Sequence, residues 1–174
     1  MRALLIISTL SLGIICCTSN KNEEDINTVK TVDKKSVYEQ NLAVLKNCIS
    51  AFENKNLVDY ANNIADSVLW YSPAYGDTMT SKSHWMEFIK KYADNWDKLH
   101  LSEVTFLPGI DSSTHELDGS VRYYGRWDGV YKTGIVTQTY FYGTYNFNKY
   151  HKIILGDEYF DVGGLMNAVH PKSK

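Results

Sequence analysis

The period of the hydrophobic pattern changes once along this chain, near Leu99, and that change restricts the fold more than any other feature. Upstream of it, Tyr38, Leu42, Leu45, Ile49 and Phe52 recur at spacings of four, three, four and three. That is the stripe of an amphipathic helix, with Asp33 placed as its N-cap. Asn54-Lys55-Asn56 breaks the helix, and Leu57, Tyr60, Ala61 and Ile64 mark a short second one. Ser67 to Tyr71 reads as a strand and Pro73 to Asp77 as a loop. A third helix is expected from about Ser81 to Lys98, along Trp85, Phe88, Ile89, Tyr92 and Trp96. That spacing puts Trp85, Tyr92 and Trp96 on one side of it.

From Leu99 the apolar residues alternate. Leu99 to Leu107 is one strand, ended or bulged at Pro108-Gly109, and Asp111 to Gly119 is polar turn material. Ser120 to Tyr131, Ile135 to Asn148 and Lys152 to Asp161 are three more strands, rich in Tyr, Val, Thr and Phe. A turn at Lys132-Thr133-Gly134 gives two strands of similar length, so it is preferred to Asp128-Gly129, and Gly129 is read as a bulge. Strands this long must bend, and Gly125, Gly129 and Gly143 are the expected flexible points. Gly163-Gly164 reads as a chain reversal after the last strand. Helices first and long alternating strands afterwards define an α+β class. The expected architecture is a cone-shaped, strongly bent antiparallel sheet packed on three N-terminal helices, a single domain over residues 34–170.

Ahead of that domain, Met1-Arg2 precedes an apolar run from Ala3 to Ile15 that ends in Cys16-Cys17. The run is too short to span a bilayer, and its positive start marks an export signal over residues 1–17. A cysteine closing such a run resembles the bacterial lipobox, in which cleavage leaves a lipid-modified cysteine as the new N-terminus. Cys17, preceded by the small Cys16, is the expected lipidation site, with Cys16 as the alternative. Residues 18–33 are polar and lack any apolar period, as a flexible tether does. The expected location is therefore the cell envelope, on the membrane through the lipid anchor, facing the periplasm or exposed at the surface.

Removing the signal leaves about 157 of the 174 residues, enough for one domain with its own core. The full chain carries a formal charge of −2, and losing Arg2 takes it to −3. That is too little to steer a partner strongly, and no basic stripe is present for nucleic acid. Cys48 is the one cysteine left inside the domain and is expected to be a buried small hydrophobe. His84, His100, His115, His151 and His170 show no i, i+4 or alternating pair that would present a metal. No phosphate loop, serine elbow or dinucleotide fingerprint appears. No cofactor is expected.

Three segments carry a family resemblance: Ala51-Phe52-Glu53-Asn54-Lys55-Asn56-Leu57, Ala65-Asp66-Ser67-Val68 and Asp157-Glu158-Tyr159-Phe160-Asp161. With the order of elements, they resemble the nuclear-transport-factor-2-like superfamily, which includes the SnoaL-like domains, over about Ser36 to Val169. The resemblance implies a bent sheet closed by helices around an apolar pocket, and it leaves the reaction open. The position of the ketosteroid isomerase base corresponds to Ser72, and that of its donating tyrosine to Cys48. Neither can do that chemistry, so isomerase activity of this kind is not expected. The resemblance to limonene-epoxide hydrolase offers Arg126, Asp128 and Glu158 as an acid–base constellation. Read without it, the same residues make a cross-strand ion pair on a solvated face. A cyclase-like reading has Asp157 available but no histidine on the strand from Ile135 to Asn148.

The leading expectation is a pocket for a small apolar or ring-bearing ligand, walled by Trp70, Trp85, Tyr92, Trp96, Tyr123, Trp127, Tyr140 and Tyr142. Eight of the thirteen tyrosines lie between Tyr123 and Tyr159, and alternation lets only about half of them face inward. An assembly role through the open sheet face, as a homodimer, is the third class.

Overall fold

The computed structural model describes residues 33–171. Helix α1 spans Lys34–Glu53, and Asp33 caps it by accepting a hydrogen bond from the Lys35 N–H at 3.1 Å. Lys55, with φ of 58°, turns the chain into α2, Leu57–Asn62. Strand β1 follows at once, Ile64–Tyr71. Ile64, read from periodicity as the end of the second helix, opens this strand instead and is buried. After the loop come β2, Met79–Thr80, and α3, Lys82–Asn95.

Four long strands complete the sheet: β3 at Trp96–Ile110, β4 at Leu117–Tyr131, β5 at Val136–Phe147 and β6 at Ile153–Tyr159. Helix α4, Val162–Val169, closes the described chain. The strand order is β2-β1-β6-β5-β4-β3 in one sheet. Every pair is antiparallel except β1 with β6, which runs parallel in the register Leu69 to Leu155 and Trp70 to Gly156. The expected α+β cone is therefore present, with its three N-terminal helices packed on the concave face of a six-stranded sheet.

Several boundaries differ from the periodic reading, each for a local reason. Trp96 belongs to β3 and not to α3, because its φ of −105° and ψ of 127° are extended. β3 also runs through Pro108 and Gly109, since an edge strand has no ladder to lose on its outer side. Gly129 is no bulge and pairs in register with Leu99 and Thr137. The register shifts lie on β3 instead, one of them between Ser102 and Thr105, where Glu103 takes a φ of 50°. Gly163-Gly164 opens α4, because Asp161 accepts the Gly164 N–H at 2.7 Å and starts a helix. The turn at Lys132-Thr133-Gly134 forms as expected, with Gly134 at φ of 86°.

The concave face of β4 presents Val121, Tyr123, Gly125, Trp127, Gly129 and Tyr131, and the alternate residues point outward. The glycines on this face leave room for rings and side chains packed against the sheet. A Cβ on Gly129 would stand 2.6 Å from Trp96 Cδ1, and one on Gly156 2.7 Å from Trp85 Cη2. The sheet thus gives up side chains where the helices and neighbouring strands bring large ones, which allows a dense aromatic interior.

Candidate functional site

Aromatic side chains from both layers surround a cavity between the helices and the concave face. α1 contributes Cys48 and Phe52, α2 Tyr60, and α3 Phe88 and Tyr92. The strands contribute Trp96, Tyr123, Trp127, Phe141 and Tyr145, and Phe160 lies just after β6. The space open to the centre of a water molecule is about 80 Å³. One water needs only about 10–15 Å³ on that measure, so the interior holds a real void and not a packing defect.

One carboxylate enters this apolar wall. Glu158, on the inward face of β6, is 5% exposed and accepts the Tyr145 hydroxyl at 3.0 Å. Burial pushes its carboxyl up to about 7. The Tyr145 hydroxyl and the Trp70 indole N–H oppose that rise by favouring the anion, and the neighbouring Asp157 reinforces it. The Trp70 N–H lies near the carboxylate without a partner at hydrogen-bond geometry. Desolvation outweighs these donors, and the group is poised to exchange a proton near neutrality. Burial also holds the Cys48 thiol at about 12, so it is a neutral wall residue and no nucleophile.

Among the expected pocket residues, Tyr92, Trp96, Tyr123 and Trp127 line the cavity. Trp96 does so from the start of β3, its indole N–H donating to Thr137 Oγ1 at 3.0 Å. Trp70 and Trp85 do not line it. They are fully buried behind it, stacked at 5.7 Å with an interplanar angle of 4°. Tyr140 and Tyr142 fall on the outer face of β5, out of phase with the cavity-lining Thr139 and Phe141. Tyr140 is 73% exposed, and Tyr142 stacks between Tyr124 and Tyr159. The periodic reading missed Tyr60, Phe141 and Tyr145. Tyr145 shares its phase with Tyr123, across the strand pair, and that parity was the available signal.

The acid–base constellation of Arg126, Asp128 and Glu158 is not assembled. Arg126 and Asp128 alternate with Gly125, Trp127 and Gly129 and so lie on the opposite face of the sheet from Glu158. There Arg126 Nε donates to Asp128 Oδ1 at 2.8 Å, and its Nη1 pairs with Glu103. Ser102 and Gln138 also donate to Asp128. The Arg126 hydrogen bond, then that of Ser102, holds the Asp128 carboxyl at about 2, permanently ionised near neutral pH. Arg126 and Asp128 therefore pair along one strand, and Glu103 on β3 is the cross-strand partner. Among the described residues no group of three His, Cys, Asp or Glu side chains is placed to hold a metal ion.

No family model matches the sequence, and no curated protein matches it either. Solved structures do resemble it in shape. A provisionally assigned polyketide cyclase from Xanthomonas campestris superposes with a TM-score of 0.62 at 13% identity, covering 76% of this chain and 98% of that one. An NTF2-like protein of unknown function from Burkholderia pseudomallei gives 0.60 at 15% identity, covering 75% and 97%. A provisionally assigned SnoaL-like polyketide cyclase from Shewanella denitrificans gives 0.58 at 9% identity, covering 76% and 98%. These likenesses show the fold alone: an α+β cone of the NTF2-like kind.

Proposed function

We propose that this domain binds a small ring-bearing molecule inside the cone, with one polar group of the ligand directed at Glu158. The observation that carries the reading is a lone buried carboxylate set in an otherwise apolar, aromatic-lined void. Aromatic walls give large contact area at little entropic cost, and a single polar anchor fixes orientation. Ring-bearing ligands are expected to raise the melting temperature and quench tryptophan emission, since Trp96 and Trp127 line the wall. A ligand at a hundredfold excess over its dissociation constant adds about 2.7 kcal/mol of stability. Trp96→Ala should weaken that binding. A broad ring-bearing library that produces no shift would remove this reading.

A second reading is favoured by the same carboxyl. A group titrating near 7 in an apolar-walled site can serve as general acid or base for a cyclase-like reaction, and such groups contribute typically about 10²–10⁴-fold. Glu158→Gln would then lower turnover of a bound substrate by about 10²–10⁴-fold while leaving its binding in place.

The N-terminal sequence supports placing this domain at the envelope, tethered through Cys17. Residues 1–32, with Cys16 and Cys17, lie outside the described residues. Labelled fatty acid should enter the wild-type protein, and Cys17→Ser should abolish the label and release the domain from membranes. Unchanged labelling in Cys17→Ser would move the site to Cys16, and an unlabelled wild type would end the lipoprotein proposal.

A further inference from the structure

The cavity wall has ten aromatic side chains, one carboxylate, and no lysine, arginine or histidine. Buried carboxylates are ordinarily paired with a cation or held by several donors. Glu158 accepts one well-formed hydrogen bond, from Tyr145 to Oε1, and the neighbouring Trp70 indole N–H reaches it without hydrogen-bond geometry. The titratable groups that face it are Tyr145 from β5, Tyr123 from β4, Tyr60 from α2, Tyr92 from α3 and Cys48 from α1. Burial holds all five in the neutral form at pH 7. Its neighbour Asp157, on the other face of β6, adds negative charge. Every group around Glu158 is therefore neutral or anionic. The site lacks its cation.

We propose that the ligand supplies it: the cone takes a ring-bearing protonated amine, whose ammonium group meets Glu158 while its apolar body lies against the aromatic faces. This rests on the reading of the cavity as a ligand site and names the chemical class it selects. The walls suit a cation because ring faces carry negative charge density, and they attract an ammonium most where water is excluded. Desolvating two ions is costly, so the pair is favourable only with such additional partners. Here Tyr145 donates to one carboxylate oxygen, and Oε2 is left for the ammonium. A neutral alcohol of the same shape can only hydrogen-bond the carboxyl.

Proton bookkeeping separates the two cases. Below pH 7 the free carboxyl is protonated, and an incoming ammonium must displace that proton. Amine affinity therefore weakens about tenfold for each pH unit below 7 and is flat above it until the amine itself deprotonates. The alcohol displaces no proton and shows no such rise toward pH 8.

The test measures binding of 2-phenylethylamine and 2-phenylethanol to the full chain by calorimetry at pH 5.5 and 8, in wild type and Glu158→Gln. The expected result is an amine preference of about tenfold or more at pH 8. That preference should vanish at pH 5.5 and in Glu158→Gln. Equal or tighter alcohol binding at pH 8 overturns the proposal and leaves the cavity reading standing. A preference that persists in Glu158→Gln also overturns it, because the cation would then be held elsewhere. Binding of neither compound overturns the amine proposal, and the cavity reading falls with it when the broad ring-bearing library also gives no shift. Should Glu158→Gln fail to fold, the comparison of pH 5.5 with pH 8 in the wild type decides.

Discussion

Trp85→Ala is expected to cost about 3–5 kcal/mol of stability, the range for deleting a buried large aromatic side chain, read as a lowered midpoint in denaturant unfolding. Trp85 is fully buried and touches every layer. It stacks on Trp70 from β1 and lies edge-on to Tyr60 from α2, with centroids 6.3 Å apart. It also stacks near Tyr145 from β5, at 6.4 Å. Beneath it Gly156 has no Cβ, so that position of the sheet brings no side chain to refill the space. Trp85→Phe should cost less, since much of the stacking area survives. A loss under about 1 kcal/mol in Trp85→Ala would mean that the core collapses around the vacancy.

Glu158→Gln should reverse the usual penalty of a core substitution once the pH exceeds 7. The folded-state carboxyl titrates at about 7 against 4.5 for the ordinary group. A raised folded value means the native state holds its proton more tightly than the unfolded chain. That stability is fully present below pH 4.5 and is lost as pH rises through 7. The full difference corresponds to about 3 kcal/mol, and the part falling between pH 5 and 8 to about 2–3 kcal/mol. Urea titrations of the wild type across that range should show the decline, and Glu158→Gln should be nearly flat. Parallel pH dependence in the two proteins would show that Glu158 is solvated or carries a partner.

Much of the architecture was legible because its periods are clean. The α1 stripe, the Asp33 cap and the Gly134 turn all follow from local residues and appear where expected. What failed was the end of α3. Trp96 fits a helical stripe and a strand start equally well, and only pairing with Tyr131 decides. Site residues were legible to the extent that strand parity was. Tyr123 and Trp127 share a phase that faces the helices, whereas Tyr140 and Tyr142 share the opposite one. Composition cannot tell one tyrosine-rich face from the other. The importance of Glu158 as an isolated acid was hidden for a related reason. Its apparent partners, Arg126 and Asp128, are near it in chemistry but are separated from it by the thickness of the sheet.

The parallel pairing of β1 with β6 bears on the order in which the molecule can be made. Every other long strand meets a neighbour joined to it by a short turn, so β3 to β6 can assemble hairpin by hairpin. β1 has only the short β2 until the final strand arrives, with nearly the whole sheet-forming chain between them. Such non-local pairing is slow, and it comes after local structure. A chain emerging N-terminus first therefore leaves Leu69, Trp70 and Tyr71 without their ladder partners until Ile153 to Tyr159 has appeared. β6 is also the strand that carries Glu158. The step that closes the cone is the step that installs its acid, so no partly synthesised chain presents a working pocket.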